Sequence, residues 1–350
     1  MIAGVMAVVL LLAVAAYACG GGTDYGAGFW DLTAGGAERG ERPRRLIDHA
    51  MAPVWEVNNV WLIFVLVIMW TGFPVLFQQV FVTMWLPLAL AAVGTVLRGA
   101  GFALRKPVRR LAGRRLYGAM FAVASLLTPF FLGAAVGGVA SGRVTSTTTA
   151  STDAWANPTS LLFGLLAIAA TASLGAVFLA ADARRFAAPD LDAYFRRRAL
   201  GALAALAVLA VITLVVTHGD APHVWHGLTH GVGLFFVVVA AVGTAATGWL
   251  LTRPSGAWSR VTAVGTVASA ILAWGMAQRP YLVPTSLTVA EGAGAHTTLR
   301  WLGLVTLVAL VLVVPAVALL YWLDTHGELE GLTDADLRAS GTGTGTGGEG

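Results

Sequence analysis

The chain of 350 residues is 57% apolar and only 11% charged, against about 45–50% and about 25% in soluble globular domains; its mean hydropathy is +0.77. This excludes a soluble enzyme, a disordered chain and a secreted disulfide scaffold, and the single cysteine, Cys19, leaves no internal disulfide and no thiolate metal site. A formal charge of +4 is too small to argue for nucleic acid, so a polytopic membrane protein remains.

A bilayer core needs about 20 apolar residues per helical crossing. Residues 1–23 carry no side-chain charge and predict the first span. They lack the basic start of a signal peptide, and the tract before Cys19 is a poor cleavage site, so the span is expected to stay. Residues 25–55 form a longer connection in which ERGERPRRLIDHAM predicts a short surface helix. The charge-free run 57–97 is long enough for two helices, with Gly72 and Pro74 offering a turn near its middle. Further charge-free runs are 116–142, 154–181, 199–219, 221–252, 261–278 and 301–323, which makes nine crossings. Backbone groups in lipid must be paired within the segment, and nothing here reads as a barrel, so an all-α protein with nine transmembrane helices is predicted. The stretch 143–157 reads as a polar outer loop. The tail 326–350 is expected to be cytoplasmic, and disordered from about 339 where Gly and Thr alternate.

With the N-terminus outside, nineteen of the 22 basic residues fall on inner segments, leaving Arg143, Arg279 and Arg300 outside. The positive-inside rule therefore predicts an external N-terminus and a cytoplasmic C-terminus.

Ionisable groups at membrane depth are costly and usually functional. Asp24 follows Gly20–Gly22 at the inner end of the first helix, Glu56 opens the second within WEVNNVWLI, and Arg98 lies near the inner end of the third. With a turn near residue 77, Glu56 and Arg98 are each about 32 Å from it at about 1.5 Å per residue, which places them at one depth on one hairpin. Two readings stay open: an interfacial ion pair or snorkelling side chains, or a site for proton intake or cofactor charge. Trp55, Asn58, Asn59 and Trp61 beside the carboxylate favour the second. The histidines His218, His223, His226 and His230 cluster at the outer ends of two helices; the i, i+4 pair His226 and His230 suits a metal only if further ligands join it. No metal site and no haem ligand pair is predicted on this chain.

Several stretches resemble subunit II of the cytochrome bd quinol oxidases: Thr23–Gly28 (TDYGAG), Ala52–Ile63 (APVWEVNNVWLI), Phe73-Pro74-Val75, Trp85–Leu88 (WLPL) leading into Arg98–Arg105 (RGAGFALR), and Pro280–Thr288 (PYLVPTSLT). The good match covers about 19–106 and 270–323. The family usually has aspartate at the position of Glu56, glycine at Val57, Glu or Gln at Asn59 and an acid at Ala103.

The resemblance implies two four-helix bundles plus one peripheral helix. A transmembrane domain over 1–325 would divide into a first bundle, 1–138, and a second bundle with the last helix, 158–325. It implies a multi-pass subunit of a quinol:oxygen oxidoreductase in the bacterial cytoplasmic membrane, serving the respiratory chain without pumping protons. Subunit I, the partner, would carry two b-type haems and one d-type haem. This chain would hold no catalytic residue; it would support the haem region and line a cytoplasmic proton path through Glu56, with Asp24, Asn58 and Asn59. Trp55, Trp61 and Arg98 would contact the partner or a structural quinone, which some members hold near the position of Trp55. Quinol, membrane lipid and a small single-helix subunit complete the expected partners. The rival reading, a secondary transporter, requires polar groups at the midplane; the midplane stretches here are nearly all Ala, Val and Leu.

Overall fold

The computed structural model describes residues 2–36, 39–51, 55–105, 111–144, 152–253 and 256–325. The first long helix, α1 (Ile2–Leu32), is followed by the short α2 (Glu41–Met51), then α3 (Trp55–Gly72), α4 (Pro74–Thr83), α5 (Trp85–Arg105) and α6 (Leu111–Ala140). A single 3₁₀ turn, Thr152–Ala154, precedes α7 (Pro158–Arg185) and α8 (Pro189–Asp220). Then come α9 (Pro222–Thr229), α10 (Gly231–Leu251), α11 (Gly256–Ala277), a hairpin of β1 (Tyr281–Val283) and β2 (Leu287–Thr288), α12 (Val289–Gly292) and α13 (His296–Thr325). Eight of these helices are long and apolar enough to cross a membrane; α3 and α4, counted as one broken span, make a ninth. The protein is thus an all-α polytopic membrane protein. The tail from 326, with its predicted disorder, lies outside the described residues.

Local chemistry sets the helix starts. Pro158, Pro189 and Pro222 each occupy a first turn, where the missing N–H costs nothing. Asn157 caps α7 by accepting the Ser160 N–H at 2.9 Å. Thr288 and Glu291 form a reciprocal capping box on α12. The Thr288 N–H and hydroxyl bound to Glu291 hold its carboxyl below the usual range.

The run 57–97 departs from the simple hairpin. Helix α3 stops at Gly72 because Pro74 has no N–H to continue it, and α4 leaves at 116° to α3. The turn is therefore itself a ten-residue helix, with residue 77 in its middle. Its ring stack, Trp70–Phe77–Phe81, has centroid spacings of 5.4 and 4.1 Å. Helices α3 and α5 make no extensive contact with each other among the described residues: α3 packs on α1 and α13, and α5 packs on α6. The expected hairpin pair is split by the closer neighbours of each helix.

Contacts sort the loops onto two ends. At one end Arg42 pairs with Asp190 at 2.6 Å, Arg184 pairs with Asp192 at 2.9 Å, and Arg184 reaches the Arg253 carbonyl. Here α2 presses its fully buried Leu46 and Ile47 into a core built with α7 and α8, as its amphipathic sequence predicts. At the other end the Gly294 N–H donates to the Gly72 carbonyl at 2.8 Å, and the Ser286 hydroxyl donates to the Val144 carbonyl at 3.2 Å. A second core there gathers Met6, Phe73, Met84, Val283 and Leu299. Exposed tryptophans mark both ends: Trp70, Trp85 and Trp301 at the second, Trp249, Trp258 and Trp322 at the first. Amphipathic indoles settle at membrane–water boundaries, and between the two belts α8, α10 and α13 present exposed Val, Leu and Phe.

The second end is clamped by an ion pair. Arg143 donates to both Asp220 oxygens at 3.1 and 2.5 Å, and Asp220 also accepts the Thr159 N–H at 3.2 Å and hydroxyl at 2.5 Å. The adjacent carboxylate raises the Arg143 pKa above its usual value. With Arg143 at 37% exposure, screening keeps the worth modest. Asp220→Asn is expected to cost about 1–2 kcal/mol, read as a lower thermal unfolding midpoint with activity per folded molecule unchanged.

Candidate functional site

The second half of α1 carries the polar residues of an otherwise apolar interior. Asp24 is 6% exposed and Tyr25 4%. The Tyr25 hydroxyl lies 3.0 Å from that of Tyr17, two turns earlier on the same helix. From α5, Arg98 enters this region at 5% exposure. Its Nε donates to Ser125 Oγ of α6 at 3.2 Å, and Ser125 in turn donates to the Phe121 carbonyl at 2.7 Å. The guanidinium carbon lies 4.7 Å from the centroid of the Tyr25 ring and 5.3 Å from that of Phe121. A buried cation needs compensation; ring faces supply part of it. Arg98 Nη2 is buried and makes no hydrogen bond among the described residues.

Small residues make this geometry accessible. A Cβ on Gly28 would sit 2.1 Å from Ser125 Oγ, and one on Gly101 would sit 2.8 Å from the Phe121 nitrogen. Both glycines let neighbouring helices close around Arg98. Trp30 fixes the same end of α1 by donating its indole N–H to the Ala172 carbonyl at 2.8 Å.

Of the residues singled out from the sequence, Asp24 and Arg98 are both buried; Arg98 faces the ring of Tyr25, which follows Asp24 on α1. Asn59 and Trp61 are partly buried on α3, which packs on α1, and the Trp61 ring lies 5.9 Å from Phe64. Trp55, Glu56 and Asn58 open α3, but their side chains lie outside the described residues. The snorkelling reading of Arg98 fails. It is seven residues, about 10 Å, inside the end of α5, and it turns toward α1 and α6. The distance of 32 Å from an outer turn also shortens: Arg98 is thirteen residues, about 20 Å, from the start of α5, because α4 spends ten residues across the bundle.

Tyr17 and Ser125 complete the site without being singled out by the sequence, and Tyr25 and Gly28 lie in the TDYGAG stretch without a role assigned to them there. Ser125 and Thr128 are the signal that was present, two hydroxyls inside the charge-free run 116–142, where small polar residues mark helix contacts. Both are fully buried.

Tyr17 and Tyr25 also border a cavity of about 1400 Å³ that runs between α1, α6, α7, α8 and α11 to Gln278 and Tyr281 near the far end. Its walls are mostly Val, Leu and Ala. The hydroxyl-bearing Tyr17 and Tyr25 of α1 are part of its lining.

The four clustered histidines lie at helix ends. His218 stacks edge-on against Trp225 at 4.5 Å, His223 Nε2 is 3.3 Å from the Gln278 carbonyl, and the His226 and His230 rings stack at 4.3 Å. His226 and His230 do not share a helix, since α9 ends at Thr229. Among the described residues no three His, Cys, Asp or Glu side chains are placed to hold a metal ion. The described histidines all lie near helix ends.

A family model for cytochrome bd terminal oxidase subunit II matches residues 2–324. No curated protein gives a significant match. Among solved structures, the bd oxidase from Geobacillus thermodenitrificans matches with a TM-score of 0.79 and 25% identity, covering 92% of this chain and 98% of that one.

Proposed function

Because the chain belongs to the cytochrome bd terminal oxidase subunit II family, we propose that it is the haem-free subunit of a quinol oxidase that reduces dioxygen to water in aerobic respiration. Its partner is subunit I, which carries two b-type haems and one d-type haem and supplies the electron transfer and oxygen chemistry. A small single-helix subunit and a structural quinone near Trp55 belong to the same reading, as does the division into bundles over 1–138 and 158–325.

The work of this chain is to support subunit I and to conduct protons. Reduction of one dioxygen consumes four electrons and four protons and yields two waters. Drawing those protons from the cytoplasm separates charge without pumping. Glu56 takes up the proton at the basic end of α3, Asn58 and Asn59 belong to the same path, and Asp24 receives it on α1, next to Tyr25. Arg98 sets the potential at Asp24, held by Ser125 and two ring faces. The observation that carries this reading is a buried carboxylate and a buried guanidinium around one tyrosine, near the basic end of an apolar bundle.

The orientation is proposed from charge. Nineteen of 22 basic residues fall in the sequence segments assigned to the inner side, among them α2 and the α7–α8 turn, which supports a cytoplasmic position for that end and an N-terminus outside the bacterial inner membrane. Single cysteines at positions 111 and 145 are expected to react with membrane-impermeant thiol reagents from opposite faces; equal labelling from outside overturns the topology. The buried Cys19 should stay silent in that assay.

The function is tested by the reduced-minus-oxidised spectrum of the complex that co-purifies with this chain. A d-type haem band far to the red is expected from the complex, and none from this subunit alone. No haem in the complex, together with substrate flux from the isolated chain in liposomes, would make it a transporter instead.

A further inference from the structure

Around the start of α8 five carboxylates are paired with other arginines. Asp31 holds Arg44, Asp190 holds Arg42, Asp192 holds Arg184, Glu41 holds Arg45, and Asp182 holds Arg260. Arg198 shares none of them and makes no hydrogen bond among the described residues. It is fixed by aromatic faces instead: its guanidinium carbon lies 3.5 Å from the Tyr194 ring centroid and 5.7 Å from that of Trp30. Its Nε is buried without a partner, and so is the Tyr194 hydroxyl. A planar fork of donors is therefore held in one orientation, beside a phenol with an unfilled hydrogen-bonding group.

Its depth identifies the chemistry that meets it. Arg198 is the last charged residue before the run 199–219. Those twenty-one residues span about 32 Å, close to the roughly 30 Å of a bilayer's hydrocarbon core, and Asp220 with its Arg143 clamp lies at the far boundary. Arg198 thus stands at headgroup level, with Arg196 and Arg197 beside it adding positive charge. Arg253 lies nearby in level at the end of α10, 4.2 Å from the Trp249 ring centroid. A guanidinium stacked on aromatic rings with its donors free suits bidentate recognition of phosphate, and basic pockets at this depth favour anionic headgroups.

We propose that Arg198, oriented by Tyr194 and Trp30, binds a phosphate group at the basic end of α8, presented by an anionic phospholipid headgroup or as free phosphate. The test uses the intact oxidase complex, stripped of lipid in neutral detergent. Its thermal unfolding is followed during titration with dioleoyl phosphatidylglycerol, dioleoyl phosphatidylcholine or inorganic phosphate. Phosphatidylglycerol is expected to raise the wild-type midpoint at about tenfold lower concentration than it does for Arg198→Gln. Arg198→Lys, which keeps the charge and loses the fork, is expected to weaken the response as well, and it serves if Arg198→Gln fails to assemble. Arg197→Gln, an exposed neighbour, is expected to respond as wild type, which separates the site from bulk charge. A shift with inorganic phosphate that Arg198→Gln abolishes assigns the site to free phosphate; a shift with phosphatidylglycerol alone assigns it to the lipid. Equal responses of wild type and Arg198→Gln, or equal potency of phosphatidylcholine and phosphatidylglycerol, would overturn the proposal.

Discussion

Glu56→Gln is expected to assemble with normal haem content yet reduce dioxygen about tenfold or more slowly per haem, since a positioned proton-transfer group typically contributes 10²–10⁴-fold. The amide keeps the shape and the hydrogen-bonding capacity of the carboxyl group but cannot take up and release a proton. A relay carboxylate must exist in both protonation states, so neither a fixed cation nor burial can dominate it. Arg98 is bound to Ser125 and packed on Tyr25 and Phe121, contacts that persist in this variant. Glu56→Asp is expected to retain most activity, because aspartate is the usual residue of the resembling family. If Glu56 were a structural ion-pair partner, Glu56→Gln would lower stability and haem content together, by roughly a few kcal/mol for a buried pair. Turnover per haem separates the two, and normal turnover would remove Glu56 from the proton path.

The second large effect is steric. Gly26 of α1 and Gly175 of α7 meet backbone to backbone: a Cβ on Gly26 would lie 1.9 Å from the Thr171 carbonyl oxygen, and one on Gly175 would lie 2.4 Å from the Gly26 carbonyl carbon. Neither contact is with a flexible side chain, so relief requires the two helices to separate along their whole contact. Gly26→Ala or Gly175→Ala is expected to cost about 3 kcal/mol or more, at the upper end of overpacking, and to displace Asp24 and Tyr25 with the helix. The measurement is the yield and thermal midpoint of the assembled complex, with Gly201→Ala as the neutral control because nothing lies within 4 Å of its Cβ position. A Gly26→Ala complex as stable as that control would mean that α1 and α7 are not packed this closely.

The membrane class, the helix count and the two ends of the molecule follow from the sequence alone. A charge-free run of about 20 residues has one stable form in lipid, and arginine clusters cannot leave the water. The short helix over ERGERPRRLIDHAM was equally readable, since Leu46 and Ile47 share one face while Arg42 and Arg45 point elsewhere. Asp24, Glu56 and Arg98 could be singled out because a charge is conspicuous against Ala, Val and Leu. What they face could not be read. Spacing along 57–97 placed Arg98 opposite Glu56 on one hairpin, but hairpin neighbours in sequence are not neighbours in packing. The bend at Gly72-Phe73-Pro74 sends α4 across the bundle, and α1 inserts its own glycine-rich half where α5 and α6 meet. Small residues at Gly28 and Gly101 permit that approach, and glycines scattered among 42 do not announce which of them touch. Tertiary structure alone therefore decided that Arg98 is buried against Tyr25 and Ser125, because its partners come from helices distant in the chain and are selected by backbone proximity, which a single sequence does not encode locally.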